Sequence, residues 1–269
     1  MCEPTENGDV PLRDVRVWRL GPGGPRHSVI REAVVGLVLN GRLLIRMSCV
    51  PVALDDLAIG FLASEGLIDG REAVSELGVS SDRTSVSIQA GVDPLRLVAL
   101  RERLAMSSGC GSGASAVDED LPRCSSAACF SPADLSERMN ELHHGSVLFR
   151  QTGGVHASAM TDGKRLLAFS EDLGRHNAVD KSIGRCLVEK IALGGLALLT
   201  TGRLSADIIA KAIRVGLAVV VSRGAVTSRG IELAAASDVA AVGFARGREM
   251  NVYTAPWRVG LAEKPETGS

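Results

Sequence analysis

Aromatic residues are scarce in this chain of 269 residues: Phe, Trp and Tyr make up 3% of it, whereas hydrophobic residues as a group make up 45%. Apolar sequence that is rich in Ala, Val and Leu and accompanied by 30 glycines favours helices packed closely on a sheet over an aromatic-rich β-sandwich. We therefore expect an α/β fold with enough apolar sequence to form its own core.

The chain also lacks an excess of either charge and a long apolar run. Lys and Arg number 30 against 31 for Asp and Glu, so no overall field attracts a nucleic acid polymer or an anionic membrane. The longest apolar stretches, 191–199 and 217–221, are far shorter than the roughly 20 residues that span a bilayer. The N-terminal region has no apolar segment of the secretory type. We expect a cytoplasmic protein whose anion-binding sites are local.

Six cysteines are too few and too scattered for the dense disulfide framework of a small secreted protein, so each is expected to be a free thiol. Cys110 stands between two glycines in residues 107–132, a stretch of small residues and turn formers without periodicity. A thiol that carries sulfur must be reachable by a donor and by an acceptor, and this setting meets that need. An incidental loop cysteine is the alternative that the spacing leaves open.

The other cysteines suggest less chemistry. A zinc site can be drawn from Cys110, Cys124, Cys129 and a histidine at 143 or 144, but structural zinc sites pair their ligands two to four residues apart, and only Cys124 and Cys129 come near that spacing. We expect no permanently bound metal. Cys49 and Cys186 lie in apolar patterns and are predicted to be small core residues.

Changes in periodicity divide the chain. Residues 1–27 have no sustained period and are predicted to be a flexible arm, and residues 261–269 a flexible tail. Residues 28–106 predict a small α+β subdomain, in which a hairpin turns at Asn40–Gly41 and a helix over 52–68 packs on the hairpin.

Residues 133–260 show a different pattern, in which short apolar runs, the first at Val147–Arg150, alternate with helical stretches. Within it, residues 196–222 have the strand, helix, strand order of a right-handed parallel crossover, with Ser205 as the helix N-cap. Ligand sites in such sheets lie at the carboxyl ends of the strands. Four loops that follow apolar runs are therefore candidates: 152–154, 171–176, 201–203 and 222–228.

Basic side chains concentrate in these loops. Arg175 and His176 precede one predicted helix and Arg203 precedes another, where free N–H groups and a guanidinium together bind anions. Arg246 and Arg248 flank a glycine after a further apolar run. None of these stretches is a Walker or dinucleotide fingerprint, so on their own they indicate only anion binding.

Six segments form an ordered pattern along the chain. They are GFLASEGLI (60–68), Cys110-Gly111, TGGVHAS (152–158), EDLGRHNAVDKSIG (171–184), TGRLS (201–205) and NVYTAP (251–256). In this order they resemble the FdhD family of formate dehydrogenase accessory sulfurtransferases, over about residues 30–258. EDLGRHNAVDK is the most specific of them.

The resemblance implies an α/β fold with a three-layer, cytidine-deaminase-like core and a smaller N-terminal α+β subdomain. It implies a homodimeric sulfur carrier that passes persulfide sulfur from a cysteine desulfurase to the bis(molybdopterin guanine dinucleotide) of a formate dehydrogenase catalytic subunit, with molybdenum or tungsten as the metal. By motif position Cys110 is the persulfide-carrying catalytic residue. The cofactor-binding residues expected from the family motif and from the basic loops are Phe244, Ala245, Arg246, Gly247, Arg248, Glu249, Arg175, His176 and Arg203.

The chain departs from the family pattern in two places. Members often carry Cys-Gly-x-Cys-Gly, whereas Gly113 stands here in place of the second cysteine, and Cys124, 14 positions after Cys110, is a hypothetical substitute. Gly224 and Val226 stand where members tend to carry Ser and Pro, which leaves backbone contacts as the expected contribution of that loop.

Of three other functions, the sequence excludes one and leaves two open. Zinc deaminases need H-x-E followed by P-C-x-x-C, and this chain has His156-Ala157-Ser158 without paired cysteines downstream, which excludes deamination. A non-enzymatic chaperone that binds the cofactor stays open, as does a redox or zinc sensor built on Cys124 and Cys129.

Overall fold

A computed structural model describes residues 11–16, 26–109 and 121–262 of the protein. The strands are β1 (Leu12–Arg16), β2 (Arg26–Ile30), β3 (Ala33–Leu39), β4 (Arg42–Cys49), β5 (Val74–Val79), β6 (Ser85–Ala90), β7 (His156–Thr161), β8 (Leu166–Asp172), β9 (Ala197–Thr200), β10 (Val219–Ser222), β11 (Ala240–Arg246) and β12 (Glu249–Val252). The helices are α1 (Leu54–Ser64), α2 (Pro94–Gly109), α3 (Pro132–Gly145), α4 (Val147–Thr152), α5 (Arg175–Val188), α6 (Ala206–Arg214) and α7 (Ser228–Ala236). Short 3₁₀ turns lie at Arg71–Ala73, Leu193–Gly195 and Pro256–Val259. The predicted mixed α/β class is confirmed.

The larger sheet has the strand order β12-β11-β10-β9-β7-β8. Strands β9, β10 and β11 are parallel, β7 is antiparallel to β9, and β8 is antiparallel to β7. Strand β8 therefore runs in the same direction as β9, and the carboxyl ends of β8 to β11 meet the start of β7 at one border of the sheet, which we call the carboxyl edge. The predicted parallel crossover is confirmed as β9-α6-β10.

Both faces of this sheet are covered. Side chains of α3 pack in one cluster with Leu199 and Val221, whereas α5, α6 and α7 pack in another with Leu198 and Val220. Neighbouring residues of one strand thus face opposite layers, as the alternation of a strand requires. The closer likeness to cytidine deaminases stays a prediction.

The smaller sheet has the order β4-β3-β6-β5 and contains the predicted hairpin. Asn40 and Gly41 at its turn have φ of 50° and 77°, the left-handed pair that a two-residue hairpin turn prefers. The Asn40 side chain also donates to the carbonyl of Ala90 and accepts from its N–H, at 2.9 and 3.0 Å, which ties the turn to β6. The helix expected over 52–68 is α1, which packs in one core cluster with this sheet.

Helix α1 also crosses α5 with the two backbones in contact. A Cβ added at Gly60 would lie 1.7 Å from the carbonyl oxygen of Asp180, and one added at Gly184 would lie 1.8 Å from that of Asp56. Because no side chain fits at either position, the crossing requires both glycines. The crossing joins α1, which packs on the smaller sheet, to α5, which packs on the larger sheet.

Three segments differ from their sequence-based predictions. Val147–Arg150, predicted as a strand, lies in α4, because the Glu171 carboxylate accepts hydrogen bonds from the N–H groups of Leu148 and Phe149 and caps that short helix. The glycines at 153 and 154 consequently follow a helix. Residues 12–16, within the predicted arm, form β1 and pair with β2. Helix α2 includes residues 107–109, the first residues of the predicted loop, and Cys110 lies outside the described residues.

Within the described ranges, no helix is both long and apolar enough to cross a membrane.

We predict that Gly60→Ala lowers the free energy of unfolding by about 2 kcal/mol, because the added methyl group forces α1 and α5 apart. The higher helix propensity of alanine, worth about 1 kcal/mol, offsets only part of this loss. Urea unfolding measures the change. Gly91→Ala is the control, since an added Cβ there meets no atom within 4 Å. Equal stability of the two variants would show that the crossing relaxes without cost.

Candidate functional site

A cleft of about 540 Å³ opens at the carboxyl edge of the larger sheet. One wall comes from α3 and α4 through His143 and Phe149, and the floor comes from His156 at the start of β7. The lining also includes Arg223, after β10, and Arg246, at the end of β11. Three of the four predicted loops reach the cleft from the carboxyl ends of strands, through Leu173, Thr201 and Arg223, whereas the loop at 152–154 reaches it after α4.

Hydroxyl groups hold the loops that surround the cleft. The Thr201 hydroxyl accepts a hydrogen bond from the N–H of Ala157 at 2.9 Å, and its oxygen lies 3.4 Å from Nδ1 of His156. In the next loop, the Ser222 hydroxyl donates to the carbonyl of Gly202 at 2.5 Å and accepts from the N–H of Gly224 at 2.8 Å. The loops after β9 and β10 are therefore bound to one another and to the start of β7.

The end of β11 has an unusual backbone. Phe244 has φ of 52°, a left-handed conformation that is rare for an aromatic residue, and the pairing with β12 shifts register between Gly243 and Arg246. This bulge leaves the Phe244 ring 38% exposed, and the Arg246 guanidinium lies 5.6 Å from the centre of that ring. Arg246 also donates from Nε to the carbonyl of Arg223 at 3.0 Å. Such strained residues concentrate at functional sites.

The six residues 244–249 do not share one environment. Arg246 lines the cleft and Phe244 stands beside it, but Ala245 is 1% exposed and belongs to the core under α3. Gly247 has φ of 61° at the turn, Arg248 is exposed, and Glu249 begins β12 opposite Arg246. Of these side chains, Phe244 and Arg246 are the ones that the fold brings to the cleft.

Positive charge accumulates around the cleft. Burial and the neighbouring Arg246 lower the pKa of the Arg223 guanidinium. Burial lowers the pKa of His143, with Arg223 adding to the effect, and burial together with Arg175 and Arg203 lowers that of His156. In the described part of the chain, none of these four arginines forms an ion pair with a carboxylate. The arrangement suits a bound anion.

Arg175, His176 and Arg203 lie beside this cleft rather than in its lining. The Arg175 side chain packs over Gly202, where an added Cβ would lie 2.6 Å from the arginine Cβ. Arg175 Nε and His176 Nε2 are buried without a hydrogen-bond partner. Burial, reinforced by the charges of Arg175 and Lys211, lowers the pKa of His176 to about 4, so its imidazole is neutral at neutral pH.

The acidic residues of the same loop face inward. Asp172 is fully buried and accepts from Lys181 Nζ at 2.5 Å, from the Asn177 side chain at 3.0 Å and from the N–H of Val50 at 3.3 Å. Lys181 in turn donates to the carbonyl of Val50 at 2.9 Å. Asp172 therefore fixes the loop to the end of β4, and Glu171 caps α4.

Sequence reasoning missed three residues that shape the cleft: His143, Phe149 and Arg223. Arg223 lies in the candidate loop 222–228, and its position directly after a buried strand could have predicted that it lies in the cleft. Phe149 reaches the cleft from α4, which replaces the predicted strand, and His143 reaches it from the end of α3. No local sequence pattern predicts that these two side chains lie in the cleft.

The described cysteines lie away from this chemistry. Cys49 and Cys186 are buried in the core as predicted, and burial raises the pKa of each thiol to about 12. Cys124 is half-buried, with its thiol 4.0 Å from the carbonyl of Gly216, and Cys129 is exposed. The predicted carrier, Cys110, is outside the described residues.

Comparisons with known proteins agree on one family. The model of the FdhD/NarQ family matches residues 30–260. The chain is similar to "Sulfur carrier protein FdhD" of Shouchella clausii, with 35% identity over 263 residues that cover 91% of this chain and 96% of that protein. It is similar to the protein of the same name from Wolinella succinogenes, with 36% identity over 241 residues that cover 87% and 82%.

A solved structure is also similar. It is a crystal structure from Desulfotalea psychrophila that is assigned to a formate dehydrogenase accessory protein. The TM-score is 0.75 at 28% sequence identity, and the match covers 93% of this chain and 100% of the other.

We predict that His176→Gln reduces the loss of stability on mild acidification. The unfolded chain protonates this histidine below pH 6.5 whereas the folded protein resists until about pH 4, so the free energy of unfolding falls as the pH falls through that window. Without the imidazole, the loss between pH 6.5 and about pH 4.5 should shrink by about 2 kcal/mol. Urea unfolding at both pH values tests this. His144→Gln, at an exposed histidine, is the control. The same dependence of the free energy of unfolding on pH in both variants would contradict the prediction.

Proposed function

This chain belongs to the FdhD/NarQ family, and we propose that it is a sulfur carrier for formate dehydrogenase. In this proposal Cys110 accepts persulfide sulfur from a cysteine desulfurase and passes it to the bis(molybdopterin guanine dinucleotide), with molybdenum or tungsten, of the dehydrogenase catalytic subunit. The chain thereby acts as a sulfurtransferase in the cytoplasm, and the proposal includes the homodimer that the family resemblance implies.

The observation that carries the proposal is the cationic cleft at the carboxyl edge. A cofactor with guanine dinucleotide arms presents phosphate anions and flat purine rings. Arg223 and Arg246 are guanidinium groups without carboxylate partners among the described residues, and Phe244 exposes an aromatic face beside them. Arginine binds phosphate with two parallel hydrogen bonds, and an exposed ring stacks on a base. The cofactor is the substrate here, and these groups would hold its nucleotide end.

The loading of Cys110 needs no outside oxidant or reductant. The Cys110 thiolate attacks the terminal sulfur of the desulfurase persulfide, a new S–S bond forms on Cys110, the donor's S–S bond breaks, and the desulfurase cysteine leaves as a thiolate. On delivery the bond between Cys110 and its outer sulfur breaks, Cys110 leaves as a thiolate, and the sulfur is transferred at oxidation state zero. The two electrons that convert it to sulfide would come from the accepting metal centre of the cofactor, which is oxidised. A single thiol therefore suffices for a carrier, although the second cysteine common in the family is replaced by Gly113.

The same replacement favours one alternative. A protein that binds the cofactor and presents it to the dehydrogenase, without carrying sulfur, needs the cleft but no thiol. The presence of Gly113 in place of a second cysteine would not impair such a protein. Sulfur loading on Cys110 distinguishes the two functions.

We predict that wild-type protein incubated with a cysteine desulfurase and cysteine gains the mass of one sulfur atom, removable by a thiol reductant, and that Cys110→Ala does not. Intact-protein mass spectrometry measures the adduct. Cys129→Ala is the matched control, because it removes an exposed thiol and leaves Cys110 in place. Equal uptake by wild type and Cys110→Ala, or no uptake by either, would leave the cofactor-binding chaperone as the function.

We further predict that Arg223→Gln weakens binding of GMP by about tenfold or more, since a charge-assisted hydrogen bond to phosphate is lost at a partly buried position. Isothermal titration calorimetry provides the dissociation constants. Arg42→Gln, an exposed arginine on the smaller sheet, should bind GMP like wild type. The same affinity in Arg223→Gln as in Arg42→Gln would remove the cleft from the proposed site.

A further inference from the structure

Helix α2 carries apolar side chains on two opposite faces. On the inner face, Leu100 is buried, and Leu97 and Leu104 pack against the core that α1 shares with the smaller sheet. On the outer face, Leu95 is 79% exposed and Val98 is 54% exposed. Leu95 is the most exposed large apolar side chain among the residues that the structure describes. A surface helix normally presents polar residues to solvent, so this second apolar face calls for an explanation.

The outer apolar side chains form one continuous stripe. Val98 and Ala99 follow Leu95 by three and four positions, and Ala105 follows Val98 by seven, a spacing that places all four on one side of an α-helix. Ala99 and Ala105 are exposed as well. Glu102 lies within the same side of the helix as its charged member. We call Leu95, Val98, Ala99 and Ala105 the outer stripe.

The rest of the protein holds α2 in place through other side chains. Arg96 donates to the carbonyl of Gly66 and to Asp69 Oδ1, both at 3.2 Å. Arg103 forms an ion pair with Glu65, at 3.4 Å between Nη2 and Oε2. Together with the buried inner face, these contacts fix the helix on the end of α1. The outer stripe is therefore presented by a helix of fixed position.

The outer stripe leads directly to the proposed sulfur carrier. Helix α2 ends at Gly109, and Cys110 is the next residue, so their Cα atoms lie about 3.8 Å apart. Val98 lies about 17 Å from Gly109 along the helix axis, at a rise of about 1.5 Å per residue. A protein partner usually covers about 800 Å² of surface, a patch about 30 Å across. A protein that brings its own persulfide into contact with the Cys110 sulfur therefore covers part of α2 as well.

We propose that the outer stripe of α2 is the docking surface for the protein that supplies persulfide sulfur to Cys110. Protein interfaces have an apolar centre and a charged rim, and Leu95 and Val98 provide such a centre beside the exposed charges of Arg101 and Glu102. Among the described residues, none that lines the cleft belongs to α2. The inference rests on the proposed function, because it assigns a surface to the donor in the loading of Cys110.

The test is a double variant, Leu95→Glu with Val98→Glu. Both positions are exposed, glutamate is a better helix former than valine, and an acidic residue in the first turn stabilises a helix. The urea unfolding midpoint should therefore stay at the wild-type value. With a limiting amount of cysteine desulfurase and with cysteine, sulfur uptake on Cys110 should be about tenfold slower than in wild type, because charged groups replace the apolar centre of the interface. Intact-protein mass spectrometry over time measures this rate, with Cys110→Ala as the baseline.

Inorganic polysulfide is the matched donor, since it gives sulfur to the Cys110 thiolate and leaves as a shorter polysulfide, without a protein interface. The double variant should take up sulfur from polysulfide at the wild-type rate. Leu95→Ala with Val98→Ala removes apolar area without adding charge, and it should slow uptake from the desulfurase about threefold or more. Leu43→Glu, at a leucine of the smaller sheet that is 49% exposed, is the control and should match wild type with both donors.

Three results would overturn the inference. Wild-type uptake from the desulfurase in the double variant would show that the donor does not contact the outer stripe. Equal slowing with both donors would show that the outer stripe acts on the chain around Cys110. A change in the number of copies per particle, measured by light scattering, would show that a second copy of this chain covers the outer stripe.

The two donors also separate this inference from the proposed function. Wild type that takes up sulfur from neither donor would remove the sulfur-carrier function and the docking surface together. Wild type that takes up sulfur from both donors, with a double variant that does the same at equal rates, would keep the function and lose only the docking surface.

Discussion

The rest of the structure depends on the backbone contact between α1 and α5. Gly60 and Gly184 bring the two helices so close that the carbonyl oxygens of Asp180 and Asp56 occupy the space of a side chain. This contact places Ser64 and Glu65, at the end of α1, beside Asp180 on α5 and Lys211 on α6. The Lys211 ammonium lies 2.8 Å from Ser64 Oγ, 2.8 Å from Glu65 Oε1 and 2.9 Å from Asp180 Oδ1. Burial alone would raise the pKa of Glu65, but Lys211, Arg214 and Arg103 together lower it to about 2. An ion group of this kind forms only if the helices meet at a fixed distance, because a buried charge without its partner is strongly destabilising.

The division of charge follows from that geometry. Acids near α5 point into the protein and are neutralised there, Asp172 by Lys181 and Asp180 by Lys211. Bases at the carboxyl edge, among them Arg175, Arg203 and Arg223, have no carboxylate partner in the described chain. The loop at 171–177 therefore combines two tasks. Its acidic residues hold the framework, and its basic residues face the edge. A segment with acidic and basic residues within a few positions has little net charge. The fold separates these charges in space and so produces a local positive field.

Much of the fold was predictable because local rules decided it. The Asn40-Gly41 turn, the crossover from β9 to β10 and the burial of Cys49 each follow from residue type and period. The failure at Val147–Arg150 has a tertiary cause: the cap of α4 comes from Glu171, 22 to 23 positions away, and no pattern within the helix shows it. The cleft was predictable as a place, since loops at strand ends were expected to meet. The residues that line it were only partly predictable, because Phe149 reaches it from α4 and because the burial of Ala245 accompanies the bulge in β11. GFLASEGLI and EDLGRHNAVDKSIG are recognisable in the sequence as family motifs. The sequence does not show that the first glycine of one, Gly60, and the last glycine of the other, Gly184, form the contact between α1 and α5.

The same field bears on how a single thiol could carry sulfur. The nucleophile in persulfide chemistry is the thiolate, and a thiol becomes one more readily near positive charge than in an apolar core. Cys49 and Cys186 show the second case, since burial raises the pKa of each to about 12 and keeps both protonated and unreactive. The carboxyl edge offers the first case, with arginines that form no ion pair with a carboxylate among the described residues and with histidines whose pKa values burial lowers. On the proposal that Cys110 passes sulfur to the metal of a cofactor whose nucleotide end is bound at this edge, the same arginines would bind the cofactor's phosphates and favour the thiolate that is left when sulfur departs. A second cysteine would add a route through a disulfide, but the proposed transfer does not require one.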